Sequence, residues 1–414
     1  MSHKMELIFH IGSSKTGTTA IQNTLHQNRK LLREDFLILY PDMAKQSRFK
    51  PKKIRANHCH YFSNFFKSEQ KNNTIRTFQE DISHLIEKST KEGIKKIIFS
   101  CEWLFQEKDV PLFLSKALSA VNVDVRFILY LRRQDLWTES AWKQWGSKNP
   151  RFLTIQEYID SSEADKLLDY KRYVDHWLTY FSKDQIDLHT FERSGIGDNV
   201  ITHFLCQVPL TKSQIEHVKY PSLRKGNVGY SQDVILLLQQ YKQTDIHDNT
   251  LHHLLNRALP ETYLRSDPFR SYGLIDLKDR EKIMARYREK NKAIARIFFE
   301  EDIQDREGLF LETLQNMNVQ KGGFNSYKKP NGEKSAAEHQ VDVRYRSDER
   351  PQMDERIYSK RRTDAERAIP ILLELFIHQE KRIRRIESRY SKVFKALPLP
   401  GSLKSKLKRY LKSL

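Results

Sequence analysis

Cysteine is scarce in this chain: 414 residues contain three, Cys59, Cys101 and Cys206. They are too few and too scattered for a disulfide framework or a zinc knuckle. Long apolar runs are lacking as well. The longest candidate, Ala368 to Ile377, is interrupted by Pro370 and Glu374 and falls short of the roughly 18 residues that a membrane-spanning helix needs. The amino-terminal MSHKMELIF has too short an apolar stretch for a secretory signal and no small-residue cleavage site, so a soluble, cytoplasmic chain is expected. No repeat of fixed period runs through the sequence. No RNP, zinc-finger or helix-turn-helix signature is present, so nucleic acid is not an expected partner.

What is present is charge and aromatic content. Aromatics at 11% and apolar residues at 38% are enough to fill at least one sizeable core. The 72 Lys and Arg exceed the 53 Asp and Glu, giving a net charge of +19. From Lys360 to Leu414 there are 16 basic against 5 acidic residues, so +11 of that total lies in the last stretch. A second basic run, Lys45 to Arg55, has six basic residues and no acidic one. Such an excess implies anionic partners and does not choose among nucleic acid, phospholipid, phosphorylated cofactor and acidic glycan.

Short apolar runs alternate with helical patterns over the first two hundred residues. Strands are expected at Met5–Ile11, Phe36–Tyr40, Lys96–Ser100, Val125–Leu131 and Ile186–Phe191, with helices at Thr18–Leu32, Thr74–Lys91, Val110–Ala120, Gln134–Trp145 and Tyr170–Phe181. All-apolar strands separated by helices imply an α/β fold, a parallel sheet covered on both faces. Further helices are expected at Val200–Cys206, Ser231–Tyr241 and Leu277–Phe299. The expected organisation is a catalytic domain over 1–317, a polar linker or disordered insert over 318–352, and a basic helical region over 353–414.

The chemistry is concentrated in His10-Ile11-Gly12-Ser13-Ser14-Lys15-Thr16-Gly17-Thr18-Thr19, with a strand before and a helix after. A Gly/Ser/Thr-rich turn in that place aims backbone N–H groups and the positive end of a helix at one point, which suits a phosphate. Gly12 and Gly17 have the G-x4-G spacing of a nucleotide P-loop, but a Walker motif needs lysine where this chain has Thr18. The lysine stands inside the loop, at Lys15.

With that lysine placement, the loop resembles the 5′-phosphosulfate loop of sulfotransferases that use 3′-phosphoadenylyl sulfate (PAPS). The resemblance implies a P-loop-type three-layer fold, with Lys15 at the bridging and sulfuryl oxygens and Thr16, Gly17, Thr18 and Thr19 around the 5′-phosphate. It also implies a second motif, an Arg at a strand end and a Ser eight residues later, on the 3′-phosphate. Arg132 and Ser140 in ILYLRRQDLWTESAW supply it. Position 133 is Arg where many relatives have Asn, and 134 is Gln where many have Pro. Arg132 and Arg133 therefore both stand as candidates, with the spacing favouring Arg132. Leu168 to Leu205 resembles the segment that follows this motif in bacterial members acting on surface polysaccharides. Arg224-Lys225-Gly226 resembles the Arg-Lys-Gly that closes over the 3′-phosphate in cytosolic members, with a solvated basic loop as the alternative. The resemblance spans about residues 5 to 310.

By that resemblance, the activity is transfer of a sulfuryl group from PAPS to a carbohydrate hydroxyl, releasing PAP, with no metal. The acceptor is a bacterial surface or extracellular polysaccharide, lipid-linked or anionic. An acceptor hydroxyl also needs a base. Glu102 follows the strand KIIFSC and fits the Ser-x-Glu of bacterial relatives as Ser100-Cys101-Glu102. The rival is His58, in Asn57-His58-Cys59-His60; with Glu102 as base, His58 would orient the acceptor. Trp103, Trp137, Trp142 and Trp145 follow the two site-bearing strands and are candidates either for stacking on sugars or for the core. A P-loop kinase and a basic nucleic-acid-binding protein are the alternative readings. In the tail, Leu403, Leu407 and Leu411 share one face of a basic helix, which suits peripheral attachment to an anionic membrane or a protein partner.

Overall fold

The structure, a computed structural model, describes residues 4–43, 56–66, 71–146, 151–152, 154–221, 229–230, 264–265, 269, 273–299 and 308–311. The chain divides into two compact units, Met1–Gly229 with Ser266–Val319, and Tyr230–Arg265 with Gln320–Leu414. The Lys45–Arg55 run, Arg224 and Lys225, the expected helix at Ser231–Tyr241, the insert at 318–352 and the basic region 353–414 lie outside the described residues.

Within the first unit, β1 (Met5–Gly12) leads through α1 (Thr18–Gln27) and α2 (Arg29–Glu34) to β2 (Ile38–Leu39). Next come α3 (Cys59–Phe66), α4 (Lys71–Lys91), β3 (Lys96–Ser100), α5 (Val110–Leu118) and β4 (Val123–Leu131). Four helices follow: α6 (Gln134–Gln144), α7 (Ile155–Ile159), α8 (Ser162–Leu168) and α9 (Tyr170–Leu178). After β5 (Ile186–Thr190) come α10 (Arg193–Ile196), α11 (Val200–Gln207), α12 (Lys212–Glu216) and α13 (Leu277–Phe298). The strands form one sheet in the order β2-β3-β1-β4-β5, and every neighbouring pair is parallel. The expected α/β class therefore holds.

Residue alternation explains the apolar runs. Leu7, Phe9, Ile97, Phe99, Phe127 and Leu129 bury one face of the sheet. Ile8, Ile98, Ile128 and Tyr130 bury the other, against Ile21 and Leu25 of α1 and Phe204 of α11. Strands covered on both faces have no solvent side on which to place polar residues. Phe9 pairs in register with Phe99 and Phe127, and its ring stacks on theirs at 5.2 and 5.5 Å.

Chain order positions the site. From β1 the chain moves to β2 and β3 on one side, then crosses to β4 and β5 on the other. The carboxyl end of β1 is thus the switch point, the place where open parallel sheets form their ligand crevices. At the opposite edge of the sheet, Arg126 donates to Glu6 (2.9 Å) and Asp187 (2.6 Å), while Lys96 reaches Glu6 at 2.5 Å.

The expected helix at Thr18–Leu32 is broken into two at Asn28. Asn28 donates its side-chain amide to the carbonyls of Thr24 and Lys219, both at 2.8 Å, and accepts from the Lys219 N–H at 2.9 Å. A side chain that takes a helical carbonyl in this way competes with continued helix.

Candidate active site

The loop between β1 and α1 is shaped by two glycines that nothing larger replaces. Gly12 has φ +115°, and a Cβ there would stand 2.2 Å from the Glu102 carbonyl oxygen. Gly17 has φ +77°, and a Cβ there would stand 2.7 Å from Val200. Lys15 itself adopts φ +69°, a left-handed conformation that costs a non-glycine residue about 1 kcal/mol or more. Strain of this kind persists where the surroundings over-determine it. Here the Ser13 N–H donates to the Tyr130 carbonyl at 2.7 Å, and the Thr16 hydroxyl donates to the Ser13 carbonyl at 2.6 Å. Trp137 on α6 donates its indole N–H to the Ser14 carbonyl at 3.0 Å.

Two of the sequence-predicted residues reach this loop from neighbouring strand ends, Arg132 from β4 and Glu102 from β3. Arg132, at the end of β4, donates to the Lys15 carbonyl at 3.0 Å, and its guanidinium lies 5.5 Å from the centre of the Phe191 ring. Glu102, just past β3, accepts from the Thr18 hydroxyl at 2.5 Å and is half-buried. Lys15 points its ammonium to the side-chain oxygen of Gln144, at the end of α6, and lies 5.9 Å from the centre of the Trp145 ring. Thr16 turns its hydroxyl inward as a brace of the loop, whereas Thr19, in the first turn of α1, is half-buried.

Arg132 and Arg133 part company. Arg133 is buried and bidentate to Asp135, at 2.7 and 2.9 Å. Arg280 of α13 reaches the same carboxylate at 2.8 Å and Glu139 at 2.5 Å. Glu139 also accepts the N–H groups of Leu274 and Ile275, at 2.8 and 3.1 Å. Burial alone would raise the pKa of Asp135, but the two guanidiniums outweigh it and hold the carboxyl well below its usual range. Arg133 thus serves a buried clamp between α6 and α13, and Arg132 is the arginine on the loop. Ser140 is buried on α6. It stands three residues after Trp137 and four before Gln144, which places all three on one helix face.

His58 requires a correction. Its ring is buried; Nδ1 accepts from the Ser100 N–H at 3.0 Å and Nε2 donates to the Pro41 carbonyl at 2.9 Å. Burial lowers its pKa to about 3, with the Pro41 hydrogen bond opposing the shift. Both nitrogens are committed to backbone, so the ring is a neutral brace between β3 and the segment after β2, with no lone pair left for an acceptor. Neighbouring His60 is exposed. Among the tryptophans, Trp137 and Trp142 are core, Trp103 packs edge-on against Phe66, and Trp145 is 39% exposed.

Sequence reasoning missed Gln144 and Phe191. Gln144 was within reach of a helix-face argument, being one turn beyond Ser140. The contact of Phe191 with Arg132 depends on the pairing of β5 with β4, which no local pattern reveals. Among the described residues, no group of three or more His, Cys, Asp or Glu is placed to hold a metal ion. No helix among them is long and apolar enough to cross a membrane.

No protein-family model matches the sequence, and no curated protein matches it. Solved structures do. One is a sulfotransferase from Alicyclobacillus acidocaldarius, 11% identical, with a TM-score of 0.34 over 70% of this chain and 94% of that one. A second is the sulfotransferase domain from the curacin biosynthetic pathway, 8% identical, with a TM-score of 0.30 over 69% and 98%. A third is the sulfotransferase domain of the Synechococcus PCC 7002 olefin synthase, 10% identical, with a TM-score of 0.29 over 69% and 96%. Both the fold and the chemistry are therefore argued from this chain's own residues.

Proposed function

We propose that this chain transfers a sulfuryl group from PAPS to a carbohydrate hydroxyl, the acceptor being a bacterial surface or extracellular polysaccharide. The observation that carries the reading is the placement of the loop lysine. Thr18 occupies the position of a Walker lysine and gives its hydroxyl to Glu102, while Lys15 presents its ammonium from inside the loop, beside the strand end that bears Arg132.

The residues fit the donor. Loop N–H groups and the start of α1 suit its 5′-phosphate, and Arg132 suits the 3′-phosphate with Ser140 on the neighbouring helix. Arg224 and Lys225 are proposed to close over that phosphate. The donor supplies an activated sulfuryl group. Lys15 would stabilise the charge that develops on the departing phosphate oxygen, and Glu102 would take the proton of the attacking hydroxyl, so that the S–O bond to the acceptor forms as the bond to phosphate breaks. Sugar as the acceptor class is supported by the likeness of the Leu168–Leu205 stretch to polysaccharide-modifying relatives. The basic tail is proposed to hold the enzyme at an anionic membrane surface. Liposome binding undiminished by deletion of 391–414 would remove that part.

The test is transfer of labelled sulfate from PAPS to polysaccharide by the wild type, Lys15→Ala and Glu102→Ala. Loss of about a hundredfold or more in rate is expected for Lys15→Ala. Transfer as fast as wild type overturns the mechanism. Thermal stabilisation by ATP–Mg²⁺ and not by PAP would favour a kinase instead.

A further inference from the structure

The chain buries three of its five tryptophans almost completely: Trp137, Trp142 and Trp177 are at most 1% exposed. Trp145 is 39% exposed, although the same helix hides Trp142 one turn earlier. Its position is also specific. Lys15 lies 5.9 Å from the ring centre, and the Trp137 ring supports it at 5.9 Å with a 58° tilt. Gln144, the preceding residue, holds the Lys15 ammonium through its side-chain oxygen. A wide indole therefore lies under the Lys15 ammonium, with part of its surface open to solvent.

Resting on the sulfuryl-transfer reading, we infer that Trp145 is the acceptor platform: a pyranose ring stacks on its exposed surface and brings a ring hydroxyl to the group held by Lys15. A pyranose presents an apolar C–H face and a polar hydroxyl rim. The indole would cover the first and leave the second free to hydrogen-bond beside the Lys15 ammonium, which lies over the same ring. A phosphorylated or sulfated donor would meet the ammonium side of this pair, and the uncharged sugar face would meet the indole. The two substrates thereby approach from different sides of one short segment, Gln144-Trp145.

The test uses the full chain and three pyranose hexamers, from cellulose, chitin and hyaluronan. Tryptophan emission is titrated with each, without donor, in the wild type and in Trp145→Ala. An emission change present in the wild type and absent from the variant is expected for at least one hexamer. With that hexamer as acceptor, its KM should rise about fivefold to tenfold in Trp145→Ala while the donor KM stays within twofold. PAP must stabilise both proteins equally in thermal melts, which shows that the variant is folded. No Trp145-dependent change with any hexamer, or a rise in donor KM instead, overturns the inference. Failure of PAP to stabilise the wild type counts against the donor reading and leaves the sugar titration to decide the platform separately.

Discussion

The two edges of the sheet use charge in opposite ways. At the amino edge, Lys96 and Arg126 meet Glu6 and Asp187 across neighbouring strands, cation to carboxylate. At the carboxyl edge, Arg132 donates to the carbonyl of Lys15, and Lys15 donates to the amide oxygen of Gln144. A neutral oxygen is a weaker partner for a guanidinium or ammonium than a phosphate oxygen, so an anionic ligand gains by replacing it. The amino edge thus sets cations against carboxylates of neighbouring strands, whereas these two contacts at the carboxyl edge end on neutral oxygens. Even at the carboxyl edge the division is sharp. Arg133 is drawn into the Asp135, Arg280 and Glu139 cluster, one residue from an arginine that reaches the loop.

That contrast can be broken in several places. The largest effect is expected from Asp135→Ala, which leaves two buried guanidiniums facing each other. It should destabilise the fold by about 3–5 kcal/mol in denaturant titration. An effect under about 1 kcal/mol would show that the cluster does not clamp α6 to α13.

Next comes acid. His10 and His58 are fully buried and neutral, and burial lowers both pKa values to about 3. The unfolded chain takes up their protons near pH 6.5, whereas the folded chain does not until about pH 3. Their contribution is therefore complete above pH 6.5 and is lost as pH falls toward 3, by roughly 1.4 kcal/mol per pH unit for each ring. Melting temperature should decline from pH 6.5 downward, before carboxylates titrate. A flat profile between pH 6.5 and 5 contradicts the burial of these rings.

Arg126→Ala should cost about 1–2 kcal/mol, because its pairs are partly open to solvent, and should leave PAP affinity unchanged. A weakened PAP affinity would mean that the two edges are coupled. The smallest effect is expected from Gln144→Ala, which frees Lys15 from its amide partner. PAP affinity should change by about fivefold or less, with melting temperature held within about 2 °C. A hundredfold loss would make Gln144 itself a ligand of the nucleotide.

Local pattern made much of this legible. The strands β1 and β3 and the second half of β4 fall where continuous apolar runs place them, because a sheet buried on both faces leaves little polar alternation there. Strand β5, by contrast, alternates apolar and polar residues. The loop was visible because Gly12, Lys15 and Gly17 answer to backbone and phosphate geometry, which are short-range requirements. Helix α1 was overextended, because Asn28 is turned aside by the carbonyl of Lys219, a partner 191 positions away.

The sequence by itself determined the α/β class, the loop and its internal lysine. These rest on periodicity, glycine conformation and charge, all of which act within a few residues. Tertiary structure alone decided that Arg133 is drawn into a buried cluster, that His58 is a brace, and that Glu102 meets Thr18. It also decided that Trp145 stays open while Trp142 is buried. Each of these depends on which strands and helices become neighbours, and a side chain's chemistry is set by neighbours that may lie a hundred residues away.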